Sequence, residues 1–436
     1  MTSTEADAAV RGQYEGFPYP PRDPEEERRR LLATEDDALA RVNHYCFGGR
    51  EGFQDFRALV AGGGTGDAAI YLAEQLRGRG QVTYIDLSAA SRAIAEARAK
   101  VRGLANITFL TGSLIDLPSL GLGPFDYVNC SGVIHHLDDP EAGLAALAGV
   151  LRPGGALALM VYADWGRVTV YPMQELLRLI GCDLPLAERV PLARATLAAL
   201  PASNFFHAHR DRFTELAEAP GRAMGDAGLV DLLLHARDRA FGIDALEAML
   251  ERQGLALAAF TSPVYRQHYR PETFLAEPAI AALPAPVRRR IGELISGHVI
   301  KHSLLATKGP PQQARPEDPA MVPFWFPAAQ ARLRDIVLAR LAQDRLSPVR
   351  LEIALDMPVS IAFQPAATTA AVFRQLDGRQ SLAEMIMAAL AAEPGLDGSA
   401  FVADYLRLFA LFSDYDILQL RHRLAAPVAD LAGSAP

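Results

Sequence analysis

Only three cysteines, Cys46, Cys130 and Cys182, are scattered over the 436 residues. So few, so widely spaced and odd in number, they exclude a disulfide framework and a cysteine-built metal site. Any apolar run of membrane-spanning length is also missing. The N-terminus, MTSTEADAAVRGQYEG, lacks the basic start and apolar core of a signal peptide, so a cytoplasmic location is expected. Positive charge is in deficit, with 43 Lys and Arg against 51 Asp and Glu and a net charge of -8, which argues against a bulk nucleic-acid surface. No internal repeat is present. What remains is a chain that is 50% hydrophobic and 22% charged, long enough for two domains or for one domain with large additions.

The rest of the chain is organised around residues 58–66, ALVAGGGTG. Apolar positions running straight into a glycine cluster are how a buried parallel strand ends when its backbone approaches a ligand closely. Asp67 and a helical segment follow, so unpaired backbone N–H groups point out of the turn and make a nucleotide-type site. QVTYIDLS (81–88) is a second strand ending in Asp86, an acid placed to accept hydrogen bonds from ribose hydroxyls, and a helix capped by Ser88 or Ser91 follows it. NITFLTGSLIDLP (106–118) and PFDYVNCSGVIHHL (124–137) give a third and a fourth strand. Residues 138–163 give a helix that stops at Pro153-Gly154-Gly155 and then a fifth strand. This alternation predicts a doubly wound, parallel α/β sheet.

Upstream, YEGFPYPPRDP (14–24) predicts an extended arm, read either as surface packing or as a lid, and EEERRRLLATEDDALARVNHY predicts an amphipathic helix. Residues 164–239 read as a helical insertion beside the carboxyl ends of the strands, suited to substrate recognition; helix and strand return at 242–263 and again at 287–309. The proline-rich stretch 309–323 reads as a linker, and residues 324–436 as an accessory α+β module of winged-helix type with a frayed tail.

The segments LVAGGGTGDAAIYLA, Asp86, TGSLIDLP, FDYVNCSGVIHHLDDP and LRPGGALALMVY resemble a class I S-adenosylmethionine-dependent methyltransferase, well over residues 50–163 and loosely over 240–308. The resemblance implies a Rossmann-like, seven-stranded sheet with an antiparallel last strand, and S-adenosyl-L-methionine as cofactor. Gly62, Gly64 and Gly66 would hold its methionine part, Asp86 with its neighbour Leu87 the ribose, and Ser113 with Leu114 the adenine. The implied domains are an N-terminal arm and helix (1–49), the cofactor-binding domain (50–163 and 240–308), the insertion (164–239), the linker (309–323) and the C-terminal module (324–436). Two positions depart from the pattern. The strand-one acid that helps hold the cofactor's amino group is replaced by Val60, with Asp67 as its expected substitute, and the adenine-side acid by Ser113, with Asp116 as its substitute. Ala61, Gly63 and Gly66 also partly satisfy a dinucleotide fingerprint, which keeps a nicotinamide-dependent oxidoreductase as an alternative.

Methyl transfer from a sulfonium is an in-line displacement, so the protein supplies alignment, desolvation and, for an ammonium, phenol or alcohol acceptor, deprotonation. No metal is expected. His135, His136 and Tyr162, at the ends of the fourth and fifth strands, are the catalytic candidates. Either histidine could take a proton; alternatively one bonds backbone while the other lines the cofactor site. Asp164, Trp165, Arg167 and Tyr171 could wall the acceptor. Asn204, His207, His209, Arg210, Asp211 and Arg212 read as a solvated face, and His235, Arg237, Asp238 and Arg239 as a border of the cleft. The acceptor is expected to present a nitrogen or oxygen, with a lean to a polypeptide side chain over a small metabolite. Neither nucleic acid nor a membrane is expected as a partner, and a homodimer is left open. A cofactor-binding regulatory protein without transfer activity is the competing class.

Overall fold

The computed structural model describes residues 3–216, 224–355, 358–428 and 431. At its centre lies β1 (Phe56–Ala61), buried at every position but Arg57. Around it are β2 (Gly80–Asp86), β3 (Ile107–Thr111), β4 (Phe125–Ser131), β5 (Leu151–Tyr162), β6 (Leu255–Phe260) and β7 (Lys301–Lys308). They form one sheet in the order β3-β2-β1-β4-β5-β7-β6. All pairs are parallel except those of β7, which runs antiparallel to β5 and β6. Strand order reverses between β1 and β4, which opens a crevice at their carboxyl ends. Leu59, Ala61, Val128 and Leu157 point to one apolar face of the sheet; Ala58, Val60, Tyr84 and Tyr127 point to the other.

The helices follow local rules. Ser88 caps α4 (Ala89–Arg102) by accepting the Ser91 N–H, and Gly103 ends it in a left-handed conformation. Asp139 caps α5 (Pro140–Val150), whose first residue is proline. The strand after α5 begins at Leu151 and includes Pro153-Gly154-Gly155, so those residues lie within β5 instead of separating it from the helix.

Upstream of the sheet, two expectations are corrected. The arm begins as a helix, α1 (Ser3–Gly16), that already includes Tyr14. The single helix expected afterwards is broken into 3-10 turns at Pro24–Arg28 and Glu35–Asp37 before α2 (Leu39–Cys46). Its acids do not all line an outer face: Glu25 and Glu35 are exposed, but Glu27, Asp36 and Asp37 are buried. Glu27 and Asp37 are each 1% exposed and turn inward to buried partners, and those partners break the helical register.

The insertion folds as helices Val170–Gly181, Leu186–Ala199, Phe205–His209 and Gly225–Leu233 around a core that includes Met173, Leu177, Phe206 and Leu233. Residues 217–223 of that expected insertion lie outside the described residues. In the C-terminal module β8 (Met321–Trp325) pairs antiparallel with β11 (Leu418–His422), and β9 (Val349–Ala354) pairs antiparallel with β10 (Pro358–Phe363). The stretch 309–323 is seated on the α2 region: Gly48 donates to the Gln312 carbonyl at 2.5 Å, and Ala314 to that of His44 at 2.8 Å. Asp416 joins module to core by pairing with Arg41 and Arg266, both at 3.0 Å. Of the tail, residues 429–430 and 432–436 lie outside the described residues. Among the described residues no helix is long and apolar enough to cross a membrane.

Candidate active site

A cavity of about 1230 Å³ occupies the crevice over β1 and β4. At one end, Gly62, Gly64, Asp86, Leu87, Ser113 and Leu114 line it, as the resemblance implies. Gly62 has a φ of +78°, and a Cβ there would come within 2.3 Å of Val133. Gly64 has a φ of +50°, and a Cβ on it would meet the Tyr19 carbonyl oxygen at 2.6 Å. The loop is therefore a cradle that side chains would fill. Asp86 accepts the Gly64 N–H at 2.7 Å and the Ser88 N–H at 2.8 Å, which fixes one carboxylate between glycine loop and helix start. Burial raises its pKa and the backbone donors oppose that shift.

Two cofactor expectations are corrected. Gly66 is absent from the lining; it starts the helix Asp67–Gln75, where a Cβ would stand 2.8 Å from that of Ala95. Its role is close packing, while Gly63, singled out from the sequence only as part of a dinucleotide fingerprint, does line the cavity. Asp116 is exposed and lies outside the lining, since the 3-10 turn after Ser113 points it away.

Asp67 lines the cavity, but its carboxylate is already taken. Arg22 holds it at 2.6 Å and Arg98 at 2.6 Å, and these guanidiniums bring its pKa below the ordinary carboxylate value against the opposing effect of burial. With two cations on it, Asp67 anchors the arm to the glycine loop and has no charge left for an ammonium, which corrects its expected role as the substitute for Val60. Thr65 adds a hydroxyl bond to the Pro20 carbonyl at 2.6 Å, and Ser88 one to the Tyr14 carbonyl at 3.1 Å.

Another part of the wall is aromatic and acidic. Tyr14, Tyr19, Tyr162, Phe213, Glu215 and Asp231 line it. Asp231 accepts the Tyr14 hydroxyl at 3.0 Å and that of Tyr162 at 3.2 Å. Burial, then the charge of Glu215, pushes its carboxyl up to about 7, against the two hydroxyls and Arg167. Arg167 is spoken for: it pairs with Asp238 at 3.1 Å and packs over the Tyr162 ring.

The histidines divide their roles. His135 is fully buried behind Tyr162, outside the lining, with no hydrogen-bond partner on either ring nitrogen; it cannot reach an acceptor, which corrects its candidacy as a base. His136 does line the cavity, and its Nδ1 donates to the Arg237 carbonyl at 2.7 Å. Burial lowers its pKa to about 3, so it stays neutral at neutral pH and holds an abstracted proton poorly. His235 stacks on it at 3.6 Å. The Nδ1 of His235 accepts the Arg237 N–H at 3.0 Å, so the neutral ring carries its proton on Nε2 and donates to Tyr14 at 3.1 Å. His136, Asp231 and His235 converge. Tyr14 links Asp231 to His235 by hydrogen bonds, while His136 stacks on His235 and bonds the Arg237 carbonyl, and that tautomer leaves His235 no lone pair for a metal.

Other candidates separate. Arg212 lines the cavity, whereas Asp164, Trp165, Tyr171, His207, His209 and Asp211 do not. Asp164 pairs with Arg290 at 2.9 Å, and Asn204 caps a helix by accepting the His207 N–H. The sequence reading missed Asp231, since an acid on a helix resembles any solvated charge. Its apolar neighbours in VDLLLHA were the available signal.

Residues 59–157 match a family model described as a methyltransferase domain. An uncharacterized protein of Synechococcus sp. is 32% identical over 276 residues, 61% of this chain and 61% of its own length. The tRNA 5-carboxymethoxyuridine methyltransferase of Escherichia coli is 40% identical over 116 residues, 26% of this chain and 43% of its own. The chain thus spans less than two thirds of either curated relative. PKMT2 from Rickettsia typhi in complex with AdoHcy shares the fold with a TM-score of 0.62 at 15% identity, covering 93% of this chain and 77% of that one. With the strand order, the glycine cradle and Asp86 in place, the match at residues 59–157 identifies a class I S-adenosylmethionine-dependent methyltransferase domain in this chain.

Proposed function

We propose that this protein transfers a methyl group from S-adenosyl-L-methionine to an amine nitrogen. The observation that carries the choice of nitrogen is the wall around Asp231: a carboxylate held by two tyrosine hydroxyls, with Glu215 nearby and the adjacent Arg167 neutralised by Asp238. Such a wall favours a cation, through carboxylate charge and aromatic faces together. The bound cofactor supplies an activated methyl group on a sulfonium. The chain's own residues do the rest: Tyr14, Tyr19 and Tyr162 exclude water and orient the acceptor, and Asp231 takes the proton that an arriving ammonium must lose before its lone pair can attack. A histidine was one candidate for that proton on sequence grounds; Asp231, held near 7, suits it better than His136, held near 3.

A polypeptide amine is the favoured acceptor, on the strength of the extra module that packs beside the domain through Asp416. Calorimetric titration with S-adenosylmethionine, followed by mass spectrometry of lysine-containing peptides and of small amines, tests both levels. A methylated peptide nitrogen is expected. Product only from small amines would make this a metabolite enzyme, product only on oxygen would overturn the amine reading, and binding without product would favour a regulatory protein.

A further inference from the structure

Val60 leaves the methionine end of the cavity without its usual acid, and Asp67 is consumed by two guanidiniums. The sheet register shows what stands there instead. Val60 on β1 lies opposite Asn129 on β4, and both line the cavity. The Nδ2 of Asn129 donates to Oδ1 of Asp37 at 2.8 Å, and the Tyr127 hydroxyl, two residues back on the same face of β4, donates to the same oxygen at 2.8 Å. Thr34 holds the other oxygen at 2.5 Å. A carboxylate from the segment before α2 is thereby fixed over the β1–β4 pair, where a longer acidic side chain at position 60 would have carried its own.

The charge balance around Asp37 is unusual for a buried acid. It is 1% exposed, lines the cavity, and among the described residues no basic side chain pairs with it; its hydrogen-bond donors are all neutral. Buried carboxylates are ordinarily paired, so a missing counter-charge beside a cavity points to a cationic ligand group. The neighbouring acids are otherwise engaged. Asp36 bonds Thr261 and has Lys301 and Arg41 nearby, and Asp86 sits at the end of β2 on the backbone donors of Gly64 and Ser88. Asp231 lies on the insertion and is engaged by the Tyr14 and Tyr162 hydroxyls.

We propose that Asp37 receives the α-ammonium of the cofactor's methionine part, an acid contributed by the N-terminal segment in place of the one missing from strand one. This rests on the cofactor reading above. The cofactor would then bridge two parts of the chain, with the ribose on Asp86 of the sheet and the ammonium on Asp37 of the segment before α2. Ligand binding and arm docking are coupled through that bridge.

The test is a thermodynamic cycle by calorimetry. Wild type and Asp37→Asn are each titrated with S-adenosylhomocysteine and with its deamino analogue, which lacks the α-ammonium. For wild type, loss of the ammonium is expected to weaken binding at least about tenfold, and Asp37→Asn to weaken S-adenosylhomocysteine by a similar factor. The substitution should leave the deamino analogue within about twofold, and adding Val60→Asp to Asp37→Asn should restore much of the lost affinity. Equal weakening of both ligands, or unchanged S-adenosylhomocysteine affinity in a folded Asp37→Asn protein, overturns the assignment. If Asp37→Asn does not fold, Asn129→Ala enters the same cycle; coupling of at least about threefold to the ammonium supports the proposal, and none overturns it. A wild type that binds no S-adenosylhomocysteine overturns the cofactor reading itself and this assignment with it.

Discussion

Replacing Glu27 with Gln is expected to detach the N-terminal arm from the sheet. Glu27 is 1% exposed, and its carboxylate accepts from Arg98 Nε at 3.0 Å, Arg98 Nη2 at 2.6 Å and Arg102 Nη1 at 3.0 Å. Both guanidiniums sit on α4, with side chains 1% exposed. A glutamine keeps one acceptor but turns an N–H pair toward donors that cannot accept it, leaving buried positive charge short of a partner. Breaking a buried pair from one side costs about 3–5 kcal/mol. Arg98 keeps Asp67 at 2.6 Å and Arg102 keeps Glu74 at 2.8 Å, which places the expected loss toward the lower end of that range. Because the arm can come off while the sheet stays folded, the loss should divide between two readouts. Urea denaturation should show a lower midpoint, and amide exchange should show faster opening of α1 and the Pro24–Arg28 turn than of β1. S-adenosylmethionine affinity should fall too, since Tyr14, Tyr19 and Asp37 reach the cavity from this arm. Stability, exchange and affinity all within about 1 kcal/mol of wild type would refute the reasoning, because the pair would then be as weak as a surface ion pair.

Asp86→Ala removes the acceptor for the Gly64 and Ser88 N–H groups as well as the carboxylate that the resemblance assigns to the ribose, and is expected to weaken S-adenosylmethionine by at least about tenfold in calorimetry. Deleting residues 1–24 takes Arg22 from Asp67 and Tyr14 from Asp231, and should weaken cofactor binding and turnover together, as measured by titration and initial rates. Asp231→Asn should leave cofactor affinity in place while turnover collapses, and in wild type the rate should climb as pH rises through about 7, where Asp231 ionises. Stability runs the other way. Asp231 and Asp37 are each raised from 3.8 to about 7 in the fold, so the native state holds their protons more tightly than the unfolded chain does. Stability should therefore fall as pH rises from about 4 to about 7 and level off above, by up to about 4 kcal/mol per group, and Asp231→Asn should flatten part of that slope in pH-dependent denaturation.

Much of the sheet was legible because its information is local. Apolar strands ending in glycine or acid, a helix opened by Ser88, another starting at Pro140, and a terminal strand at Lys301–Lys308 each declare themselves within a few residues. Asp86 could be placed at the end of the second strand for the same reason. The arm was misread because Glu27, Asp36 and Asp37 look like the polar side of an amphipathic helix until their buried partners are known. His135 and His136 are adjacent in sequence, yet only His136 lines the cavity, while the His135 ring packs against that of Tyr162.

By itself, then, the sequence determined the sheet, the glycine cradle and the place of Asp86 at the end of β2, because strand period and turn chemistry are short-range physics. Tertiary structure alone decided which charges are spent and which are available. Asp67 meets its guanidiniums from Arg22 and Arg98, and Tyr14 meets Asp231 across a separation of 217 residues. An ionisable side chain's chemistry depends on its burial and its partners, and both are set by folding, not by its place along the chain.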